Sequence, residues 1–229
     1  MTRTTIQSTD ITDGSIVNTD VNASAAIVAS KLSGVESGLT SMQTFTSSGT
    51  WTKPAGITKV MVEVQGAGGS GGKINGGYVG SGASGGYAKK LIDVSSISSA
   101  TITVGTGGAA VTATNTSGNS GGSSSWSDGT NTITCNGGSG GDGTTSYKVT
   151  AGGTATGGDL NIAGADSDII RSAGKDSMFG FGGPESSAAS NFDGPTSPNA
   201  KGYGSGGSST YLDTSGSGGD GIVIVTEYK

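Results

Sequence analysis

Apolar and polar positions alternate in several short segments from residue 44 onward. The clearest is Val60-Met61-Val62-Glu63-Val64, in which every second residue is a valine. A period of two predicts a β-strand with one buried face. Further strands are predicted in segments rich in Val, Ile and Thr: Thr44 to Thr46, Ala88 to Val94, Ala100 to Val104, Thr130 to Cys135 and Ile222 to Val225. The last of these is apolar on both faces, so we expect it inside a sheet. No convincing amphipathic helix is present, and the predicted fold class is mainly β.

The first 34 residues follow a different rhythm, because their apolar residues are spaced by five. Neither a helix nor a single strand has this spacing, which suits short strand-and-turn steps along an axis. One copy could not bury a single apolar row, and segments below about 40 residues seldom fold alone. One interpretation is a shaft of three identical chains, and the other is a disordered tail. In the shaft, the side chains at the trimer axis would be Ile6, Ile11, Ile16 and Val21. Residues 33–42 are predicted to be a linker.

Glycine accounts for 46 of the 229 residues, far above the usual share of about 7%. Glycine clusters such as 66–72 and 137–143 separate the predicted strands. Flexible linkers are one interpretation, but ordering so many would cost too much entropy for so small a core. Alternatively, extended segments with three residues per turn pack side by side where inward positions lack a Cβ. We therefore expect a domain built of β-strands and polyglycine-II-like segments.

Composition excludes several classes of function. The net charge is −5 and no basic stripe is present, which speaks against a nucleic-acid partner. The chain has no histidine, so imidazole bases and imidazole metal ligands are excluded. Its single cysteine, Cys135, can form no intrachain disulfide. The N-terminus has no apolar stretch typical of a Sec signal peptide. No run approaches the roughly 18 apolar residues of a membrane span, so membrane insertion is not expected.

Three kinds of motif resemble ligand sites. Gly66-x-Gly68-x-x-Gly71 matches a dinucleotide fingerprint, but no helix-forming sequence follows it. Gly137-Gly138-x-Gly140-x-Asp142 and residues 215–223 resemble calcium-binding nonapeptides, which need stacked tandem copies to share ligands. Asp166-x-Asp168 could offer oxygens to calcium or a sugar. We expect these to be structural turns or solvated loops, and we predict no metal and no cofactor.

Paired carboxylates could also serve a glycan depolymerase. The candidates are Asp159, Asp166, Asp168 and Glu185, and the sequence places no two of them at a working distance. We therefore expect a binding protein and no enzyme, with no catalytic residues.

The order of motifs along the chain resembles the glycine-rich domain of bacteriophage tail fibres. Phe45-x-x-x-Gly49-Thr50-Trp51-Thr52-x-Pro54 is similar to its opening, and Val104-Gly105-Thr106-Gly107-Gly108 to its middle. Gly219-Asp220-Gly221 followed by Ile222 to Tyr228 is similar to its closing strand. Residues 11–32 are similar to repeats in fibre shafts. The glycine clusters with variable loops also resemble T-even-type distal adhesins.

The resemblance implies an elongated homotrimeric fibre in the virion. Residues 1–43 would form the shaft and attach to other tail or baseplate proteins. Residues 44–229 would form the glycine-rich domain that binds a host-surface glycan or outer-membrane protein. Aromatic and basic side chains near the glycine clusters are the candidate receptor-binding residues: Tyr78, Tyr147, Arg171, Lys175, Phe179, Phe181, Phe192, Tyr203 and Tyr211. A purely structural fibre or decoration protein is the main alternative, and a depolymerase tail spike is a further one. Trp51 and Trp126 are assigned to packing.

Overall fold

The computed structural model describes residues 38–144, 146–169, 173–184, 199–211 and 214–229. Within these ranges the regular structure is ten β-strands and no helix, which confirms the mainly β prediction. The strands are β1 Leu39–Phe45, β2 Gly49–Thr52, β3 Lys59–Gln65, β4 Tyr87–Asp93, β5 Ser99–Thr103, β6 Ser124–Ser127, β7 Thr132–Cys135, β8 Ala155–Thr156, β9 Leu160–Ile162 and β10 Ile222–Tyr228. The predicted trimer-axis residues Ile6, Ile11, Ile16 and Val21 lie outside the described residues.

The strands form two antiparallel sheets of five. The first sheet has the order β1-β10-β3-β4-β9, and the second has the order β2-β5-β6-β7-β8. Strand β10 pairs with β1 on one side and β3 on the other, as expected for a segment apolar on both faces. The alternation in β3 also works as predicted, because Val60, Val62 and Val64 are fully buried and Met61 and Glu63 are not.

The core lies between the two sheets. Its largest members are Trp51 of β2 and Trp126 of β6, both fully buried, with ring centroids 5.1 Å apart. This confirms their assignment to packing. Aromatic pairs of this kind add about 0.5–1.5 kcal/mol beyond the area that they bury. The cluster also includes the valines of β3 and β10 and, from the second sheet, Ile102 and Ile133.

Some strands were not evident from the sequence. Strand β1 begins at Leu39, so the last residues of the predicted linker are paired with β10, Met42 opposite Thr226. Strand β6 (SSWS) contains a single apolar residue, and β9 buries none of its side chains. These segments become strands because neighbouring strands supply the hydrogen bonds, and a period of two cannot be read from them.

Beyond the sandwich, several strands continue as extended glycine-rich segments. Residues 66–74 follow β3, and the backbone N–H groups of residues 66–73 donate in rotation to three neighbouring segments. Gly66, Gly69 and Gly72 donate to the segment 80–86. Ala67, Ser70 and Lys73 donate to the segment 116–122. Gly68 donates to Gly219, and Gly71 donates to Gly216. A donor direction that repeats every third residue is the geometry of three residues per turn.

The carbonyl groups of the same segment accept bonds from three more directions. Ala67 and Ser70 accept from the segment 138–141, Gly69 and Gly72 accept from the segment 207–210, and Gly68 accepts from Gly108. Residues 66–74 are therefore surrounded by other segments and satisfied through hydrogen bonds between segments. We call this arrangement the glycine bundle, and its glycines are structural.

The close spacing explains why the inward positions are glycine. A Cβ on Gly68 would lie 1.9 Å from the carbonyl oxygen of Ser205, and one on Gly71 would lie 1.9 Å from that of Ser208. No carbon atom can occupy either position unless the backbones move apart. The fingerprint residues Gly66 to Gly71 lie in this extended segment, and no helix follows them among the described residues. The geometry that a dinucleotide site requires is therefore missing at this fingerprint.

Candidate functional site

The loops that connect neighbouring bundle segments meet at one end of the glycine bundle. Next to the sandwich, Gly66 is bonded to Gly86; at the other end of the same two segments, Gly72 is bonded to Gly80. The loop 75–79 joins them beyond this last layer. The same layer is marked in other segments by the backbone hydrogen bonds that join Lys73 to Thr116, Gly80 to Asp142, and Thr210 to Gly72. The loops just beyond it, which we call the tip, contain residues 75–79, 112–115, 146–149 and Tyr211.

Three of the predicted receptor-binding residues come together at the tip. The rings of Tyr78 and Tyr147 meet edge to face, with centroids 5.3 Å apart. Both side chains remain half exposed, at 50% and 52%. The Tyr211 hydroxyl donates a hydrogen bond to the carbonyl oxygen of Gly77, which fixes the neighbouring loop. The tip therefore presents an aromatic surface on an ordered backbone.

The backbone at the tip contains unusual conformations. Tyr147 has a φ of 52° and Asn115 a φ of 56°, in the left-handed region that non-glycine residues rarely adopt. Asn is enriched there, whereas a tyrosine in this region is uncommon and points to a constraint on the side chain. The Asn75 backbone N–H donates to the Asn115 side-chain oxygen at 3.3 Å. Neither asparagine was among the predicted site residues, although Asn75-Gly76-Gly77 is a turn signal.

Asp142 anchors the loop that carries Tyr147. Its carboxylate accepts bonds from the Thr144 hydroxyl at 2.7 Å and from the backbone N–H groups of Thr144 and Lys148, each at 3.0 Å. Burial works to raise the pKa of this carboxyl, but the bonds from Thr144, Lys148 and Ser117 outweigh it and lower the pKa below the usual value. Asp142 is a turn residue here, as predicted.

The other candidate calcium or sugar ligands also have structural partners. Asp166 accepts from the Gly152 N–H at 2.9 Å, and Asp220 accepts from the Gly107 N–H at 2.7 Å. Asp168 forms an ion pair with Lys175, one of the predicted receptor-binding residues. In the part of the chain that the structure describes, no three acidic, cysteine or histidine side chains are grouped as metal ligands would be.

The carboxylates considered for a depolymerase show the same pattern. Asp159 accepts a bond from the Leu91 backbone N–H at 3.0 Å, on strand β4. Glu185 lies outside the described residues. Asp159 and Asp166 accept bonds from backbone N–H groups and Asp168 pairs with Lys175. These contacts give no support for a pair that acts on a glycosidic bond.

A second group of predicted residues lies beside β4. The rings of Phe179 and Tyr87 meet edge to face, with centroids 5.8 Å apart. The backbone of Phe179 also pairs with that of Tyr203 in a single antiparallel β-bridge. Phe181 follows and is 76% exposed. Because Tyr87 begins β4 at the sandwich end of the bundle, this group does not join the tip. The predicted residues Arg171 and Phe192 lie outside the described residues.

Cys135 has no accessible chemistry. It is fully buried in the core, and its thiol donates to the Val64 carbonyl oxygen at 3.2 Å. Burial raises the pKa of this thiol to about 12, and a protonated, buried thiol is a poor nucleophile.

Among the residues described, no helix is long and apolar enough to cross a membrane.

Comparison with known proteins gives a family. No curated protein has a sequence that matches the chain. The glycine-rich domain family matches residues 40–228, which include all ten strands except the first residue of β1. The chain therefore belongs to the glycine-rich domain family.

Proposed function

We propose that the chain is a subunit of a homotrimeric bacteriophage tail fibre that binds a receptor on the host surface through the tip. The tail-fibre identity rests on the resemblance of the motif series from Phe45 to Tyr228. Binding at the tip rests on one observation: the half-exposed rings of Tyr78 and Tyr147 meet edge to face on loops that connect hydrogen-bonded segments of the glycine bundle.

The chemistry of the tip favours a glycan or a polar protein loop as the receptor. Two half-exposed phenol rings offer flat apolar faces and hydroxyl groups, which suits stacking on sugars and hydrogen bonding at little cost in side-chain entropy. Three chains in one fibre, and several fibres in one virion, would turn weak contacts into strong attachment. The homotrimer is supported by the five-residue apolar row of the first 34 residues.

The test is the binding of fluorescently labelled full-length protein to a panel of bacterial strains. The variant is Tyr78→Ala/Tyr147→Ala, and the control is Phe181→Ala, which removes an aromatic ring that is even more exposed but lies away from the tip. We expect the tip variant to bind at least tenfold more weakly and the control to bind like the original chain. Periodate treatment of the cells abolishes binding if the receptor is a glycan, and proteinase treatment does so if it is a protein.

Equal binding by the tip variant and the original chain would contradict the proposal. A structural fibre or decoration protein would then be the better account. Release of soluble oligosaccharide from bacterial envelopes by the purified protein would instead favour the depolymerase alternative.

A further inference from the structure

The first sheet has an outer face that the second sheet does not cover. Interstrand partners share a face, so the register places Met42, Thr226, Met61 and Leu91 in one row across β1, β10, β3 and β4. The row is outward because Val60 and Val62, on either side of Met61, are buried. Met42 is 63% exposed and Leu91 49%, so apolar side chains face solvent at both ends of this row.

The same face continues onto β9. Leu160 lies opposite Lys89, and Ile162 lies opposite Tyr87. Both are exposed apolar side chains. Phe179 covers Tyr87, so that part of the face is packed. Contiguous exposed apolar area on a soluble protein commonly marks an interaction site.

Charges on this face balance one another. Glu63 and Lys89 form an ion pair at 3.5 Å, and Lys59 lies opposite Asp93 in the register of β3 and β4. Two acids and two bases leave the centre of the face neutral, although the whole chain carries −5. Copies of the same chain can therefore approach here without like-charge repulsion.

The edge of this face is strand β1, where the described domain begins. Edge strands of natural proteins usually carry charges or proline that block pairing with another chain. The β1 sequence, LTSMQTF, contains neither. The 37 residues before Gly38, which carry the five-residue apolar row, enter the domain at this strand. If those segments associate about one axis, β1 is the strand of each domain nearest to them in sequence, and the outer face of the first sheet begins at β1.

We infer that the outer face of the first sheet, from Met42 to Leu91, contacts a second copy of this chain. This inference rests on the homotrimer of the proposed function and assigns the surface by which the glycine-rich domains meet. It also separates the roles of the two exposed apolar regions: the sheet face assembles the fibre, and the tip remains free for a receptor.

The first test compares Leu91→Glu with Val149→Glu in the full-length chain. Both residues are 49% exposed, but Val149 lies at the tip. We expect sedimentation velocity to give a multiple of the 22.0 kDa chain mass for the original chain and for Val149→Glu. Leu91→Glu, and Met42→Glu at the other end of the row, should raise the dissociation constant at least tenfold. At concentrations where the assembly dissociates, Leu91→Glu should unfold at the same temperature as the original chain. This result would show that the domain itself is folded.

A second test measures accessibility directly. A cysteine placed by Leu91→Cys should react with a bulky maleimide at least tenfold more slowly in the assembled protein than one placed by Val149→Cys. The buried Cys135 adds no competing reaction. Equal labelling rates, or an assembly state unaffected by Leu91→Glu, would overturn the inference. A monomeric original chain would overturn it together with the trimer, whereas binding of the tip to cells is measured separately and could still stand.

Discussion

The indole N–H of Trp51 donates a hydrogen bond to the carboxylate Oε1 of Glu227 at 2.7 Å, and this bond joins the two sheets. Trp51 belongs to β2 of the second sheet and Glu227 to β10 of the first. Both side chains are buried. The same carboxylate accepts from Gln43 at 2.7 Å and from Ser41, both on β1. Glu227 therefore connects the edge strand, the centre of the first sheet and the facing sheet.

Removal of this carboxylate should destabilise the domain. Glu227→Ala leaves the buried Trp51 N–H without its acceptor, and an unsatisfied buried donor costs about 1–3 kcal/mol. Glu227→Gln keeps an acceptor oxygen and should cost less than Glu227→Ala. Urea unfolding followed by tryptophan fluorescence measures both free energies of unfolding. If the two variants are equally stable, the bond to Trp51 does not contribute as described.

Substitutions of glycine should depend on the space at each position. Gly71→Ala places a methyl group against the Ser208 carbonyl, whereas Gly49→Ala meets no atom within 4 Å. Overpacking typically costs 1–3 kcal/mol, and backbone contact this close should reach at least about 3 kcal/mol. Gly49→Ala should change the free energy of unfolding by less than about 0.5 kcal/mol. A Gly71→Ala protein as stable as Gly49→Ala would mean that the segments are not packed backbone to backbone.

Stability should fall in mildly alkaline solution because of Cys135. Its pKa is about 12 in the folded protein, against 9.0 for an ordinary cysteine thiol. Above pH 9 the unfolded chain loses this proton while the folded protein keeps it, so the thiol's contribution is complete below pH 9 and is lost between pH 9 and 12. The slope approaches about 1.4 kcal/mol per pH unit. Unfolding between pH 8 and 10 measures it, and Cys135→Ala should show a shallower decline; identical slopes would contradict the assignment.

The strained tyrosine at the tip should separate binding from stability. Asn adopts the left-handed region more readily than Tyr, so Tyr147→Asn should leave the melting temperature unchanged or raise it. It also removes one ring of the Tyr78 pair, and cell binding should fall about tenfold, the loss of roughly 1.4 kcal/mol. Tyr147→Phe keeps the ring and should bind well. Weak binding by both variants would assign the interaction to the hydroxyl group instead.

The sequence was most informative where side chains bury one face. The valines of β3 and the apolar run of β10 predicted strands in the right places, and the two tryptophans predicted the core. It was least informative where the backbone alone determines the structure. Strand β6 and the bundle segments are stabilised mainly by bonds to distant segments, and no local period identifies those partners.

The candidate site shows the same division. Aromatic residues beside glycine clusters were identifiable as candidates for binding, but their grouping depends on which bundle segments are neighbours. Tyr78, Tyr147 and Tyr211 meet at the tip because their segments end in the same layer. Phe179, Phe181 and Tyr203 were predicted with them, yet Phe179 packs on Tyr87 at the sandwich end of the bundle and pairs with Tyr203 there.

We infer that the hydrogen-bonded glycine bundle is rigid and holds the tip in place. Native-state hydrogen exchange of the backbone amides of residues 66–73 tests it most directly. These amides donate to three different segments, so we expect exchange as slow as that of the neighbouring strand β3. Exchange at the rate of an unstructured chain would show that the clusters are flexible linkers and would contradict the bundle.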